Sequence, residues 1–473
     1  MNQGNTPLYN RLKQFREKNP ISFHVPGHKN GEVFFNEARE DFENILQLDF
    51  TELTGLDDLH APTGVIQESQ ELAAEFFHAD ETFFLVGGST SGNLAMILAC
   101  CQIGDKVIVQ RNSHKSIMNA LELSGAEPIF IAPDYDSTVE RYTNPRVDVL
   151  KEALHKHPDV KAIVLTYPDY FGKTYDIKRM IDLAHEWDVP VLVDEAHGVH
   201  FSLGSPLPSS ALLLGADVVI QSAHKMAPAM TQGSYLHIKT DFPLKDRIAY
   251  YLQMIQSSSP SYPIMASLDI ARAFLANISQ SELVEIRNTI LHVRTILEGC
   301  KCWEVLPLTE NSDFLKITLH VKHFYSITDV GNLLEEVGLF PELITDNQIL
   351  LIFGLAPYKQ LNRLKKAVKT INERLKKDSI HATIDISKLF ATPIQQLALT
   401  YQEMNQLTYK HVSFEDAVGK VAAEAVIPYP PGIPFILKGE RVMDEHILTI
   451  QHLISQGVKL QQREHGMKVY CNN

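Results

Sequence analysis

Short apolar runs alternate with helical stretches between residue 82 and about residue 239. Six runs read as buried strands: 82–86 (TFFLV), 106–110 (KVIVQ), 128–132 (PIFIA), 161–166 (KAIVLT), 189–194 (VPVLVD) and 217–221 (DVVIQ). They are rich in β-branched residues and bounded by Gly, Pro or Asp. Their near-continuous apolar character is what a strand covered on both faces requires. Between them, 94–103 and 177–187 carry apolar residues at helical spacing. Strands alternating with helices imply a largely parallel sheet with helices on both faces, an α/β fold. Ligands then bind beyond the carboxyl ends of the strands, so the residues just after each strand carry the most weight.

After residue 240 the pattern changes. Residues 245–298 read as mostly helical, with a break at 257–263 (SSSPSYP). Residues 303–377 read as a small α+β unit, with strands near 314–320 and 348–353 and a basic amphipathic helix over 358–377. Further on, 428–434 (PYPPGIP) predicts a rigid extended turn, because proline fixes φ and donates no backbone hydrogen bond.

Composition narrows the class. A length of 473 residues suggests two to three domains, and 45% apolar with 21% charged residues describes an ordinary globular chain. With 43 basic and 57 acidic side chains the net charge is −14, which argues against a nucleic-acid partner, since that needs a basic stripe to displace phosphate counterions. Five cysteines are too few and too odd a set for a disulfide framework and suit a reducing compartment. Cys300-Lys301-Cys302 is too closely spaced for a zinc knuckle, and no second pair complements it. The polar start (MNQGNTPLYNRLKQF) lacks the apolar core of a signal peptide, and no apolar run reaches the roughly 20 residues that span a bilayer. The expectation is a cytoplasmic protein with no membrane partner.

Three strand-end loops carry chemistry. In Gly87-Gly88-Ser89-Thr90-Ser91-Gly92-Asn93, glycines permit close backbone approach, hydroxyls donate, and the start of a helix favours an anion. This describes a phosphate cradle without the Walker or dinucleotide patterns; a turn capped by Ser or Thr is the plainer reading. Asp194 ends the strand VPVLVD and precedes Glu195-Ala196-His197. A carboxylate in that apolar setting needs a partner, such as a protonated heterocyclic nitrogen. An ordinary strand-terminating Asp is the alternative, and metal binding by Asp194, His197 and His200, at a strand end and the following turn, lacks the helical H-E-x-x-H spacing. Ser222-Ala223-His224-Lys225 follows the strand DVVIQ, where a desolvated lysine becomes a nucleophile toward aldehydes. Cradle, Asp194 and Lys225 together are the parts that pyridoxal phosphate needs.

The chain resembles the ornithine/lysine/arginine decarboxylases among the fold-type-I pyridoxal-phosphate enzymes. The matching stretches are FHVPGHKNG (23–31), LDDLHAPTG (56–64), QRNSHKS (110–116), VDEAHG (193–198), QSAHK (221–225) and YPPGIP (429–434). The resemblance is to the short bacterial branch, with no N-terminal wing domain before the core. It implies a large cofactor domain over 61–300 after an N-terminal segment (1–60). A small α+β domain (301–378) and a C-terminal region (379–473) would follow. It also implies roles. Lys225 would condense with the cofactor's aldehyde and Asp194 would pair its ring nitrogen. His114 would stack on the ring, with Ala196 and His197 lining its other face. Ser89, Thr90, Ser91, Ser222 and His224 match positions around the phosphate and the lysine. Glu440 is the candidate contact for a substrate's distal cation, a glutamate solvated beside Arg441 being the plainer reading. His24, His28 and His60 are assigned no chemistry. TYPDYFG (166–172) departs from the family's Asn-Pro-Thr type of sequence at Tyr167 and Asp169, and Gly87 replaces a frequent Asn.

The implied reaction is decarboxylation of arginine, lysine or ornithine to the amine, feeding polyamine synthesis, in a homodimer or higher homo-oligomer. Lys225 or His224 would return the proton to Cα. An aminotransferase is the rival on the same scaffold, but QILLIF (348–353) runs into Gly-Leu-Ala-Pro without the arginine that would grip an α-carboxylate. A non-catalytic scaffold would have lost Lys225 or Asp194, and both are present.

Overall fold

The computed structural model describes residues 1–239, 242–310, 312–376, 390, 392–428, 432–455, 460 and 466–471. The chain divides into two compact units, one of Met1–Cys100 with Ala184–Ser279, the other of Cys101–Leu183 with Gln280–Asn473.

The first unit holds four hydrogen-bonded strands in the order Glu81–Leu85, Ser234–Ile238, Val218–Gln221, Val191–Asp194. Val191–Asp194 and Val218–Gln221 run parallel, and every residue in both is buried. Ser234–Ile238 (SYLHI) was not foreseen in the pattern and runs antiparallel to both its neighbours. The link from Gln221 to Ser234 is short, so the chain turns back rather than crossing over as a parallel return requires. Helix Gly88–Cys100 starts six residues before the predicted 94, because the cradle residues themselves form its opening turns. Helices Val65–Phe77 and Tyr262–Asn277 pack with the N-terminal helix Pro7–Glu17. A fully buried pair fastens that helix: Asp269 accepts from Leu8 and Tyr9 N–H, while Arg272 bonds Asp269 and the carbonyls of Gln3 and Asn5.

The second unit contains Ala162–Thr166, Lys106–Gln110 and Glu127–Ile131 as parallel neighbours, with Ile394–Gln396 antiparallel at the edge. It also contains a four-stranded antiparallel sheet, ordered Trp303–Val305, Lys316–Val321, Gln348–Ile352, Leu343–Ile344. Helices Gln280–Glu298, Ile327–Glu336 and Leu361–Arg374 accompany that sheet, which matches the expected α+β pattern. A separate apolar cluster around Ile436, Ile450 and Val469 gathers the C-terminal residues. Within the extended turn predicted at 428–434, residues 429–431 lie outside the described residues. No helix among the described residues is long and apolar enough to cross a membrane.

Candidate active site

The first unit brings nine of the eleven predicted site residues onto neighbouring strand ends and one helix start. Asp194 closes its strand only 3% exposed. Its carboxylate accepts from Asn93 Nδ2 at 3.0 Å and from Ala196 N–H at 3.2 Å, so both oxygens are oriented. Asn93 sits on helix Gly88–Cys100, 1% exposed among Ala and Met neighbours. The sequence gives it away only as a polar side chain on an otherwise apolar helical face.

The serines converge at the start of the same helix. Ser89 Oγ lies 2.5 Å from Ser222 Oγ and donates to Ser234 Oγ at 3.3 Å. Ser234 was not singled out in the sequence, because only the antiparallel return of Ser234–Ile238 delivers it here. Ser91 Oγ donates to the Gly88 carbonyl at 2.8 Å, and Thr90 is exposed. Gly88 adopts φ +72°, a conformation that costs a glycine little and lets the chain turn from strand into helix. The first helical turn carries no acidic side chain to oppose an anion.

Lys225 lies on the short helix Ala223–Met226. Ala223 and Met226, three residues apart, take the buried face, which leaves Lys225 exposed and His224 half-buried. The desolvation expected of a strand-end lysine is therefore not supplied by its own helix. Lys225 Nζ lies 3.1 Å from His197 Nε2, within hydrogen-bond reach. His224 Nδ1 donates to the Gly233 carbonyl at 3.1 Å, and burial lowers its pKa, so it is held neutral.

Beneath this surface runs a line of buried polar side chains with no counterpart in the sequence reading. Glu195, fully buried, accepts from Ala211 N–H at 2.7 Å and from Gln221 Nε2 at 2.6 Å. Gln221 Oε1 accepts from His237 Nε2 at 3.1 Å, and His237 Nδ1 accepts from Thr82 Oγ1 at 2.8 Å. Burial pushes the Glu195 carboxyl up to about 8 and His237 down to about 3.

The other two predicted residues belong to the second unit. His114 caps helix Lys115–Ser124, its Nδ1 accepting from Ser116 N–H at 3.2 Å and lying 2.8 Å from Ser116 Oγ. Glu440 has a partner other than the one foreseen. Its carboxylate accepts from the buried Arg111 at 2.8 Å and from Leu437 N–H at 2.8 Å, whereas Arg441 turns to the Gly419 carbonyl. Arg111 needs that anion, since it is 1% exposed and its other partners among the described residues are neutral, the Pro434 and Phe435 carbonyls and the rings of Phe130 and Phe390. At the departing stretch, Tyr167 is buried against Tyr175, and Asp169 caps a turn by accepting from Lys173 N–H at 2.8 Å. Among the described residues no three His, Cys, Asp or Glu side chains cluster to hold a metal.

The family model for the Orn/Lys/Arg decarboxylase major domain matches residues 6–316, and that for the C-terminal domain matches 383–465. The chain belongs to the Orn/Lys/Arg decarboxylase family. It is thus a pyridoxal-phosphate-dependent amino-acid decarboxylase. It is 45% identical to the uncharacterized protein YaaO of Bacillus subtilis over 97% of this chain and 96% of that one. It is 37% identical to the arginine decarboxylase of the same organism, over 98% and 96%. The lysine decarboxylase LdcF of Francisella novicida superposes with a TM-score of 0.82 at 19% identity, covering 98% of this chain and 81% of that one. That likeness shows the fold, a fold-type-I large domain with a mixed, mostly parallel sheet and a small α+β domain.

The residues present fit the family's cofactor. Ser89, Ser222 and Ser234 at an acid-free helix start suit a phosphate, a carboxylate oriented by Asn93 suits a protonated ring nitrogen, and Lys225 offers an exposed amine.

Proposed function

We propose that this decarboxylase acts on a basic amino acid, arginine first, and releases the corresponding amine and carbon dioxide. The observation that carries the reading is the meeting of three features in one unit: the serine-lined helix start, the Asn93-held Asp194 carboxylate, and Lys225 beside His197. Arginine stands first because relatives 34–37% identical are named arginine decarboxylases, whereas those named for lysine or ornithine are 23–24% identical.

Pyridoxal phosphate, when bound, supplies an electron sink for the pair left as carbon dioxide departs. Ser89, Ser222 and Ser234 would hold its phosphate, and Asp194 would keep a proton on its ring nitrogen. Lys225 is the residue to which it would be attached, with Ala196 and His197 beside the ring. Lys225 is also the better donor of the proton to Cα, because the Nδ1 proton of His224 is committed to the Gly233 carbonyl. Glu440 already neutralises Arg111, so contact with a substrate's distal cation would require its carboxylate to be shared. We further place the protein in the cytoplasm as a homodimer or larger homo-oligomer, its product amine entering polyamine synthesis.

Incubating the purified protein with arginine, lysine and ornithine, and identifying agmatine, cadaverine or putrescine, tests substrate and reaction together. Agmatine with carbon dioxide is expected; a 2-oxo acid would indicate the aminotransferase instead. Lys225→Ala should lose both turnover and the visible absorbance of the lysine-bound cofactor, and normal turnover by that variant would refute the assignment.

A further inference from the structure

The Cys300-Lys301-Cys302 motif has no part in the reaction above, and the second unit arranges it in a specific way. The chain bends at Lys301 and Cys302, between the end of helix Gln280–Glu298 and the start of strand Trp303–Val305. The bend brings the two Sγ atoms to 3.2 Å, with Cys300 5% and Cys302 2% exposed. Asn372, on helix Leu361–Arg374, fastens the turn from both sides. Its Oδ1 accepts from Lys301 N–H at 2.8 Å, and its Nδ2 donates to the Gly299 carbonyl at 2.9 Å. Trp303 Nε1 adds a bond to the Leu297 carbonyl at 2.9 Å. The thiols are thereby held about 1 Å beyond the roughly 2.05 Å of a disulfide bond.

The pair is asymmetric. With the bond they share running from the Cys302 thiol to Cys300, the Cys300 pKa is lowered and that of Cys302 raised, while Lys322 lowers both. Cys300, the more exposed of the two, is therefore the first to become a thiolate. Its chain neighbours Gly299 and Lys301 line a groove of about 630 Å³ that also presents His292, Lys365 and Lys369, with Glu373 near Lys369 as its acidic member. Such a groove favours a reagent that carries carboxylates.

We propose that Cys300 and Cys302 form a reversible dithiol–disulfide site whose oxidant is a small anionic disulfide of the glutathione type. The Cys300 thiolate attacks one sulfur of the reagent, forming a mixed disulfide and expelling one thiolate. Cys302 gives up its proton to that leaving group and attacks Cys300 Sγ, so the Cys300–Cys302 bond forms and the second thiolate departs. Two electrons pass from the cysteine pair to the reagent, and the new bond ties the helix end to the strand start.

The position of Lys301 makes the test direct. Trypsin cuts after Arg294, Lys301 and Lys316, which puts Cys300 in peptide 295–301 and Cys302 in peptide 302–316. The native chain is treated with oxidised glutathione, its free thiols are alkylated, and it is digested without reduction. The two peptides are expected as one linked species, two hydrogen atoms lighter than their sum and separated by dithiothreitol. Cys302→Ser should stop at one glutathione on residue 300, and Cys300→Ser should leave Cys302 unmodified. Alkylation of both thiols in the native chain, with linkage appearing only after unfolding in urea, would overturn the proposal. Glutathione attached to Cys302 in place of Cys300 would do the same.

Discussion

Glu195 shows how much a single side chain beside the site can govern. Its carboxyl is fully buried and takes two N–H donors, yet desolvation raises its pKa to about 8. Between pH ~4.5 and ~8 the folded chain keeps a proton that the unfolded chain releases, so this group's contribution to stability falls as pH rises through that window. His237 works in the opposite sense. Between pH ~6.5 and ~3 the unfolded chain takes up a proton that the folded chain refuses, so stability falls as pH drops. The two slopes oppose each other from about pH 4.5 to 6.5, and a decline on either side of that plateau is expected in denaturation midpoints measured from pH 3 to 9. Glu195→Gln should lose the alkaline decline, since a neutral amide has no proton to release. Glu195→Ala should also lose the alkaline decline, but at a cost of about 2–4 kcal/mol near pH ~4.5 that shrinks as pH rises toward ~8, because the Ala211 and Gln221 donors lose their acceptor and a cavity remains; urea unfolding at several pH values measures it. Lys225 and Asp194 were legible in the sequence because each directly follows or ends an apolar run. Asn93, Gln221 and His237 were not, because their partners lie 101, 26 and 155 residues away along the chain.

At the scale of elements, the helix start that would hold phosphate depends on how closely its helix approaches the strands. A Cβ added at Gly92 would meet Leu85 Cδ1 at 2.8 Å and Ile220 Cδ1 at 2.9 Å, both side chains fully buried. Gly92→Val should therefore push helix Gly88–Cys100 outward and overpack this contact at a cost of about 1–3 kcal/mol. The displacement would separate Ser89 from Ser222 and Ser234, so cofactor retention after dialysis, read by absorbance, should fall along with thermal stability. Strand positions were legible to within one or two residues, as 189–194 against Val191–Asp194 illustrates. Three antiparallel features were not, namely Ser234–Ile238, Ile394–Gln396 and the hairpin of Pro133–Asp136 with Arg141–Pro145, although the antiparallel neighbours Lys316–Val321 and Gln348–Ile352 were. Apolar alternation signals a strand's existence, while its direction follows from the length and packing of the connection.

At the scale of the whole molecule, the excess acid is unevenly spread. Residues 1–110 carry 7 basic and 16 acidic side chains, and none from 40 to 105 is Lys or Arg. If this charge helps to draw in a cationic amino acid, raising ionic strength should lower kcat/KM for arginine more than kcat; a flat response would assign it to solubility. The same stretch exposes Ile21 (83%), Phe23 (92%) and Phe35 (66%), apolar surface that a homodimer would cover. If the chain is a homodimer as proposed, Phe23→Asp should shift it toward monomer in sedimentation at micromolar concentration; an unchanged dimer would place the interface elsewhere, and a monomeric parent would remove the dimer itself.

What the sequence alone determined was the α/β class, the family resemblance, and the strand-end placement of Lys225, Asp194 and the serines. Local periodicity and short motifs encode those features directly. Tertiary structure decided which groups meet: Asn93 on Asp194, Ser234 on Ser89, His197 on Lys225, and Glu440 on Arg111. Each joins residues that only strand order, chain direction or burial brings together. For Glu440 the buried charge of Arg111 supplied the stronger demand.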